Sequence, residues 1–368
     1  MRVLLVTGSF PPMRCGVGDY SQNLAGSLAS VGEIQVGVLT SAPGAAEEPA
    51  GEVERFPLIE RWSLAEAVKV IRLIRSWSPD IVHIQYPTQG YGKGYLPWFL
   101  PMIAFLMGKK VVQTWHEGYG RRNALGLLFK SIVPGGLVFV RPNFIEDNLH
   151  SMLNWAIWGK NPVFIPNASS IPCAGLSEHE KLEIKKPYLQ KQKRLIVFFG
   201  FVYPGKGVEL LFDIADPISD QIVIAGEIAG EGEYPQDIMR RASVEPWRGK
   251  VTVTGFLPAA DVASLLSVAD AVILPFRMGG GEWNTSLHGA VLNGAFVITT
   301  SLTRNGYDAN NNVYYAKVDD IREMQSALAA YAGRQRAHHA DTGRDEWRQI
   351  ADKHRALYAK LLTKRSTG

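Results

Sequence analysis

Cysteine, long apolar runs and an excess of one charge are all scarce in these 368 residues. Two cysteines, Cys15 and Cys173, give no disulfide framework and suit a reducing compartment. The most apolar stretch, Tyr95 to Met107, is interrupted by Pro97 and Pro101 and ends at Gly108-Lys109-Lys110. It is too short to span a bilayer. It reads as a buried helix, with Trp98, Phe99 and Phe105 in the core. Low-complexity tracts are missing, which argues against extended disorder. A net charge of +4 is too mild to indicate nucleic-acid binding, and none is expected. The segment Met1–Phe10 carries one arginine and a short apolar run before a Pro/Gly turn, which suits a first strand better than a signal peptide. Acids are locally scarce too. Between Gln89 and Pro142, seven basic residues stand against one acid, Glu117.

What is present is alternation. Val3–Thr7, Gln35–Leu39, Ile81–Ile84, Val111–Thr114, Leu137–Val140 and Val163–Ile165 are short β-rich apolar runs. Helical patterns occupy Tyr20–Ser30, Leu64–Trp77 and Phe144–Trp155. Continuous apolar strands separated by helices predict a parallel sheet covered on both faces. Prolines 166, 172 and 187 and a charged run then break the pattern, and residues 169–193 read as a linker. Alternation restarts with strands at Leu195–Phe199, Gln221–Ala225, Lys250–Thr254, Ala271–Leu274 and Phe296–Thr299. Helices are expected at Val208–Ile214, Ala260–Ser267 and Ser286–Asn293. The predicted fold is α/β, with two tandem Rossmann-like doubly wound domains at 1–168 and 194–344. A last helix over 345–362 has no strand after it.

Three glycine-bearing loops follow strands. In the first, Gly16-Val17-Gly18 would need a glycine at position 21 to match a dinucleotide fingerprint, and that residue is Ser21. A tight turn before a helix accounts for the pair. The second, Gly200 to Gly207, keeps the Walker A spacing through Lys206. Gly207 then stands where a Ser or Thr would hold Mg²⁺, which disfavours an NTPase. Lys206 is left at a helix N-terminus, a place that suits a diphosphate; a solvated loop lysine is the plain alternative. The third loop combines Gly279, Gly280, Gly281, Glu282 and Trp283 with the N-cap types Asn284, Thr285 and Ser286. Unpaired N–H groups at that helix start suit an anion or sugar hydroxyls. No DxD-type acidic pair lies on either loop of the second domain, so chemistry without a metal or other cofactor is expected.

Together these residues resemble the GT-B glycosyltransferases of family 4 and their glycogen-synthase-like relatives. Phe10-Pro11-Pro12 with Cys15-Gly16-Val17-Gly18-Asp19-Tyr20 resembles the family's opening loop. Asp80-Ile81-Val82-His83-Ile84-Gln85 resembles its "DIVHxH" strand, and Thr114-Trp115-His116-Glu117 its "T-x-H-D/E" strand end. Ile165-Pro166-Asn167, Lys206-Gly207-Val208-Glu209-Leu210-Leu211, Val253-Thr254-Gly255-Phe256 and Val268–Pro275 follow in the family's order. The resemblance implies a nucleoside-diphosphate sugar, UDP- or GDP-linked, as donor. Lys206 would hold the diphosphate, with Gly16 and Gly200 allowing the backbone close. Glu282 would bond sugar hydroxyls, and the N–H groups of Asn284, Thr285, Ser286 and Leu287 would hold sugar and phosphate. His116 would face the donor sugar, which makes His116, Lys206 and Glu282 the catalytic set. Gly255, Phe256 and His288 would complete the donor site. Asp19, Tyr20, Gln85 and Glu117 would face the acceptor. The last helix would cross back to the first domain.

Two departures stand out. Phe201 replaces an arginine that the family uses on the diphosphate. The second of a family glutamate pair falls on Gly289, which leaves ribose recognition to others, with His288 and Asn284 as candidates one helical turn apart. The implied activity is transfer of a hexose to a hydroxyl with retention, in bacterial-type glycan, glycolipid or polysaccharide synthesis. A nucleotide-sugar isomerase and a non-catalytic nucleotide-sugar binder are the rival readings. The expected acceptor is a glycan or lipid-linked saccharide. The expected location is cytoplasmic, with the basic segment 89–142 touching the anionic inner face of the membrane.

Overall fold

The computed structural model describes residues 1–30, 32–42, 53–117, 129–142, 144, 157, 160, 162–189, 191–228, 232–280, 283–336 and 342–363. They divide into two units, Met1–Asn167 with Asp345–Gly368, and Ala168–Arg344.

In the first unit, seven strands form one parallel sheet: β1 (Arg2–Val6), β2 (Gln35–Ser41), β3 (Val53–Ile59), β4 (Ile81–Tyr86), β5 (Lys110–Trp115), β6 (Gly136–Phe139) and β7 (Pro162–Phe164). Their order is β3-β2-β1-β4-β5-β6-β7. β1 reads as an unbroken apolar run because it is buried on both faces, while β4 and β5, equally buried, carry the polar residues His83, Gln85, Gln113 and Thr114 among apolar ones. β3 escapes sequence detection because it is an edge strand, half-exposed and carrying Glu54, Arg55 and Pro57. Helix α1 (Gly16–Ala29) follows β1. The expected helix 64–77 divides into a 3₁₀ turn at Leu64–Glu66 and α2 (Ala67–Trp77). α2 and α3 (Leu96–Leu106) bury Val70, Leu73, Ile74, Leu96, Leu100 and Ala104 in one core with Leu4, Val6, Val82 and Ile84 of the sheet. Alternate residues of β4, His83 and Gln85, therefore point to the opposite face. That face meets the C-terminal helix (Thr342–Thr363), whose Leu357 and Leu361 lie against Gly136 and whose Tyr358 reaches His83.

One expectation fails on α3. Phe105 is 45% exposed, Leu106 76% and Tyr95 58%, and Trp98 and Phe99 are half-buried. The helix covers the sheet with one face only, and the remaining apolar residues are left at the surface. The expected helix 144–155 lies outside the described residues apart from Phe144.

In the second unit the sheet order is β10-β9-β8-β11-β12-β14-β13. The strands are β8 (Arg194–Phe199), β9 (Asp220–Ala225), β10 (Val251–Val253), β11 (Ala271–Leu274), β12 (Val297–Thr300), β13 (Gly306–Asp308) and β14 (Val313–Ala316). All are parallel except β13, an antiparallel edge. The stretch read as a linker has structure of its own. Ile171 enters this unit's core, and α4 (Glu178–Lys185) starts with a capping box in which Ser177 and Glu180 exchange hydrogen bonds. Its Lys185 pairs with Asp270 at 2.7 Å. The expected helix 208–214 is a 3₁₀ turn, Val208–Leu210, running into the single turn α5 (Leu211–Ile214). Then come α6 (Glu233–Ser243), α7 (Ala259–Val268), α8 (Thr285–Leu292) and α9 (Ile321–Tyr331).

Each sheet reverses its strand order near its centre, between β1 and β4 and between β8 and β11. In open α/β sheets, ligands bind beyond the carboxyl ends of the strands at such a reversal.

Candidate functional site

In the second unit the loops after β8 and β11 flank the reversal and are fastened together. Gly207 has φ 64°, and a Cβ there would come within 2.2 Å of the Pro275 carbonyl oxygen. Arg277 donates its backbone N–H to Gly205 (3.1 Å), and its guanidinium clasps Glu209 and Asp319. Tyr234 donates its hydroxyl to the same Glu209. This anchors the loop that carries Lys206, whose ammonium lies 4.3 Å from the Phe276 ring centroid. Lys206 itself sits in a 3₁₀ turn, Pro204–Lys206, rather than at the start of a long helix. Its contribution is therefore its own charge, with little helix dipole behind it.

At the start of α8, Asn284 is the N-cap and accepts a hydrogen bond from Ser286 N–H at 3.0 Å. That corrects the expectation of a fully open row of donors. The N–H groups of Thr285 and Leu287 are the ones left without an acceptor among the described residues. Gly200, at φ 139°, lies beside them; a Cβ there would stand 3.2 Å from Ser286 Oγ. Two glycines of the third loop, Gly279 and Gly280, serve the fold instead: Gly279 has φ 75° and donates its N–H to the Phe276 carbonyl at 3.1 Å. Gly280 donates its N–H to Thr300 (2.6 Å), and any side chain there would strike Phe276 and Thr299. Gly281 and Glu282 lie outside the described residues.

At position 289 a Cβ would meet Ile171 and Ser169 at 3.3 Å, so the segment entering this unit packs tightly against the helix at the position where the resemblance implies a glutamate. His288 is half-buried on the same helix, and its backbone N–H bonds the Asn284 carbonyl. Gly255 has φ 69°, and Phe256 presents an exposed ring beyond β10. Phe201 is likewise exposed.

In the first unit the loops after β1 and β4 are joined by Gly8 N–H to Thr88 Oγ1 (2.9 Å) and Gly90 N–H to Ser9 Oγ (2.8 Å). Gly16 opens α1, is exposed, and has nothing within 4 Å of a would-be Cβ, so the fold itself does not demand a glycine there. Asp19 follows in the first turn, and burial raises its carboxyl to about 6. Glu117 is exposed.

His116 stands at the end of β5, only 7% exposed. Burial, then the neighbouring His354 and Arg141, push its imidazole down to about 3, so it is neutral at physiological pH. Tyr20 meets its ring edge-on, with centroids 4.7 Å apart, and Trp347 backs Tyr20 at 5.3 Å. Gln85 Oε1 lies 2.9 Å from His116 Nε2. Tyr20 and Gln85, expected at the acceptor, are thus buried supports of His116. Behind them, His83 contacts Tyr358 and Thr114, both at 2.7 Å, and His354 lies beside it with ring centroids 5.4 Å apart. Tyr358, His354 and Arg277 escaped sequence reasoning. The readable signal was His83 and Gln85, two polar residues on one face of a strand otherwise apolar.

Two family models match the chain: Glycosyltransferase Family 4 over residues 15–140, and Glycosyl transferases group 1 over residues 193–332. Alpha-D-kanosaminyltransferase of Streptomyces kanamyceticus is 26% identical over 106 residues, 27% of this chain and 26% of that one. The chain spans about a third of the length of the curated relatives it matches. Among solved structures, sucrose-phosphate synthase from Thermosynechococcus elongatus superposes with a TM-score of 0.71 at 15% identity, covering 99% of this chain and 100% of that one. Anabaena HepE in complex with UDP superposes with a TM-score of 0.67 at 14% identity, covering 98% of each chain.

Proposed function

Because this chain belongs to the GT-B glycosyltransferases of group 1 and family 4, we propose that it transfers a hexose, with retention, from a nucleoside-diphosphate sugar to an acceptor hydroxyl. The observation that carries this reading is that the loop bearing Gly200 and Lys206 follows β8 at the strand-order reversal of the second unit, with Gly200 beside the start of α8, where the N–H groups of Thr285 and Leu287 have no acceptor among the described residues. A departing diphosphate gathers negative charge. A lysine and preorganised N–H donors stabilise that charge more than they stabilise the bound ground state. Glu282 is the proposed partner of the sugar hydroxyls. His116, being neutral, is proposed to hydrogen-bond the donor sugar and not to act as a phosphate cation. The exposed ring of Phe256 offers a surface for the base. HepE binds UDP, which favours a UDP-sugar over a GDP-sugar as the donor to try first.

On the acceptor side we place Asp19 and Glu117, and a glycan or lipid-linked saccharide as the substrate. The outer face of α2 and α3 supports a membrane-linked acceptor. Tyr95, Trp98, Met102, Phe105 and Leu106 recur at helical spacing with exposed or half-buried side chains. From Arg61 to Lys110 the chain carries seven basic residues and two acids. Among the described residues no helix is long and apolar enough to cross a membrane, and the proposed attachment is peripheral. The test is a panel of UDP- and GDP-sugars with saccharide and lipid-linked acceptors, the product anomer being read by NMR. Neither transfer nor nucleotide binding with any donor would overturn the reading.

A further inference from the structure

A directed chain of hydrogen bonds runs under His116. The Gln85 carboxamide turns its oxygen to His116 Nε2 (2.9 Å) and its nitrogen to His83 Nε2 (3.3 Å). An amide oxygen only accepts and an amide nitrogen only donates. His116 must therefore carry its proton on Nε2, and His83 must leave its own Nε2 bare. The His83 proton then sits on Nδ1 and is donated to Tyr358 Oη at 2.7 Å. Thr114 Oγ1 lies 2.7 Å from the same His83 nitrogen, close enough for its hydroxyl to share that single lone pair with the Gln85 amide. His83, Gln85, Thr114 and Tyr358 are fully buried, so water does not compete for these bonds. The low positions of the His83 and His116 imidazoles agree with two neutral rings.

We infer that Gln85 is a positioning residue that locks His116 as the Nε2–H tautomer, so that the atom His116 offers to a ligand is the Nδ1 lone pair. Nδ1 enters no hydrogen bond among the described residues. An unprotonated ring nitrogen accepts and does not donate. It selects a sugar hydroxyl, which has a hydrogen to give, over a phosphate or ring oxygen, which has none. The far end of the chain is Tyr358 on the C-terminal helix. The chain of hydrogen bonds thus ties His116 to an element 242 residues further along the sequence. Tyr20 and Trp347 fix the plane of the ring, and the Gln85 chain fixes its proton. The sugar-selecting consequence rests on the reading of His116 as a donor-sugar contact; the tautomer itself does not.

The experiment is imidazole ¹⁵N NMR of the intact, ligand-free protein, with signals assigned by single histidine variants. The expected result is His116 protonated on Nε2 and His83 on Nδ1. In Gln85→Glu the carboxylate only accepts, so His116 should stay as it is and His83 should move its proton to Nε2. Tyr358→Phe removes the acceptor of the His83 Nδ1 proton and should leave both rings as tautomer mixtures. It also serves where Gln85→Glu fails to fold. His116 protonated on Nδ1 in the wild type, or a His83 tautomer unmoved in both variants, overturns the inference. For the consequence, kcat and KM are compared between a hexose donor and its deoxy analogues. Tyr358→Phe should lower kcat for the full sugar about tenfold or more, with nucleotide affinity unchanged. An equal loss for every analogue overturns the selecting role. A wild type that transfers nothing from any donor overturns the proposed function and leaves the tautomer result standing.

Discussion

Gly207 and Pro275 meet so closely that a single added carbon at 207 would come within 2.2 Å of the Pro275 carbonyl oxygen. This contact clamps the Lys206 loop to the end of β11. Gly207→Ala meets two obstacles, the overlap and a φ of 64° that costs an L-residue about 1–2 kcal/mol. The expected outcome is a lower melting temperature and weaker nucleotide binding together. Unchanged binding, measured by calorimetry, would show that the clamp does not shape the donor site.

Lys206→Ala should remove most of the activity. Loss of one preorganised donor at a developing anion costs about 2–4 kcal/mol, which is tens- to several-hundred-fold in rate. Turnover of the best donor, measured beside the wild type, decides it. Retention within about threefold would remove Lys206 from the mechanism.

Chelation should leave turnover unchanged. The sequence carries no DxD-type acidic pair on either loop of the second domain. Assay in excess EDTA, then with added Mg²⁺ or Mn²⁺, tests this; an absolute metal requirement contradicts it.

The exposed stripe of α3 should bring the protein to anionic vesicles at low salt. Each nearby basic residue contributes about 1 kcal/mol, and the attraction fades within a Debye length. Flotation should succeed with phosphatidylserine vesicles and fail with neutral ones or at high salt. Phe105→Ser with Leu106→Ser should reduce it with only a small fall in melting temperature, since Leu106 is 76% exposed and Phe105 45%. Equal flotation of the double variant would assign any binding to another surface.

Acid should destabilise the protein beginning near neutrality. His116 and His354 are held at about 3 and about 4, against an ordinary 6.5, and His83 is also lowered. The unfolded chain takes up these protons first as pH falls below about 6.5. Stability is therefore full above that value and declines toward pH 4, by at most about 1.4 kcal/mol per pH unit for each ring. Asp19, raised to about 6, works in the opposite sense, favouring the fold at low pH and losing that contribution as pH rises toward 6. Three rings against one carboxyl set the net direction. Urea midpoints at pH 7.5 and 5.0 check it, with His354→Gln expected to shrink the difference.

The buried parallel strands were legible because burial on both faces writes a predominantly apolar run, even where His83 or Gln113 interrupts it. β3 and β13 were not. An edge strand is wet on one side, and Glu54 and Asp308 look like loop residues. The Lys206 loop announced itself through its glycines, but its helix did not materialise. Val208 to Leu211 satisfies the helical pattern, and tertiary packing makes most of it 3₁₀. The missing glutamate at 289 was visible as a departure; the residue packed tightly against that position, Ile171, lies over a hundred residues upstream. The least legible feature was the support beneath His116. His83 and Tyr358 are 275 positions apart, and no local pattern joins residues at that distance.

The first unit is completed by the chain's last long helix, so the second unit is spliced into it as an insertion. Synthesis proceeds from one end, and this fixes an order of events. When β7 emerges, the face of the first sheet bearing His83 and Gln85 is still uncovered. It must wait while some 180 further residues are made, a delay of roughly ten to thirty seconds at ordinary elongation rates. The second unit can complete its own core within that interval. The first unit is thus the later of the two to finish folding, and its buried polar chain is closed only once the helix carrying Tyr358 has been made.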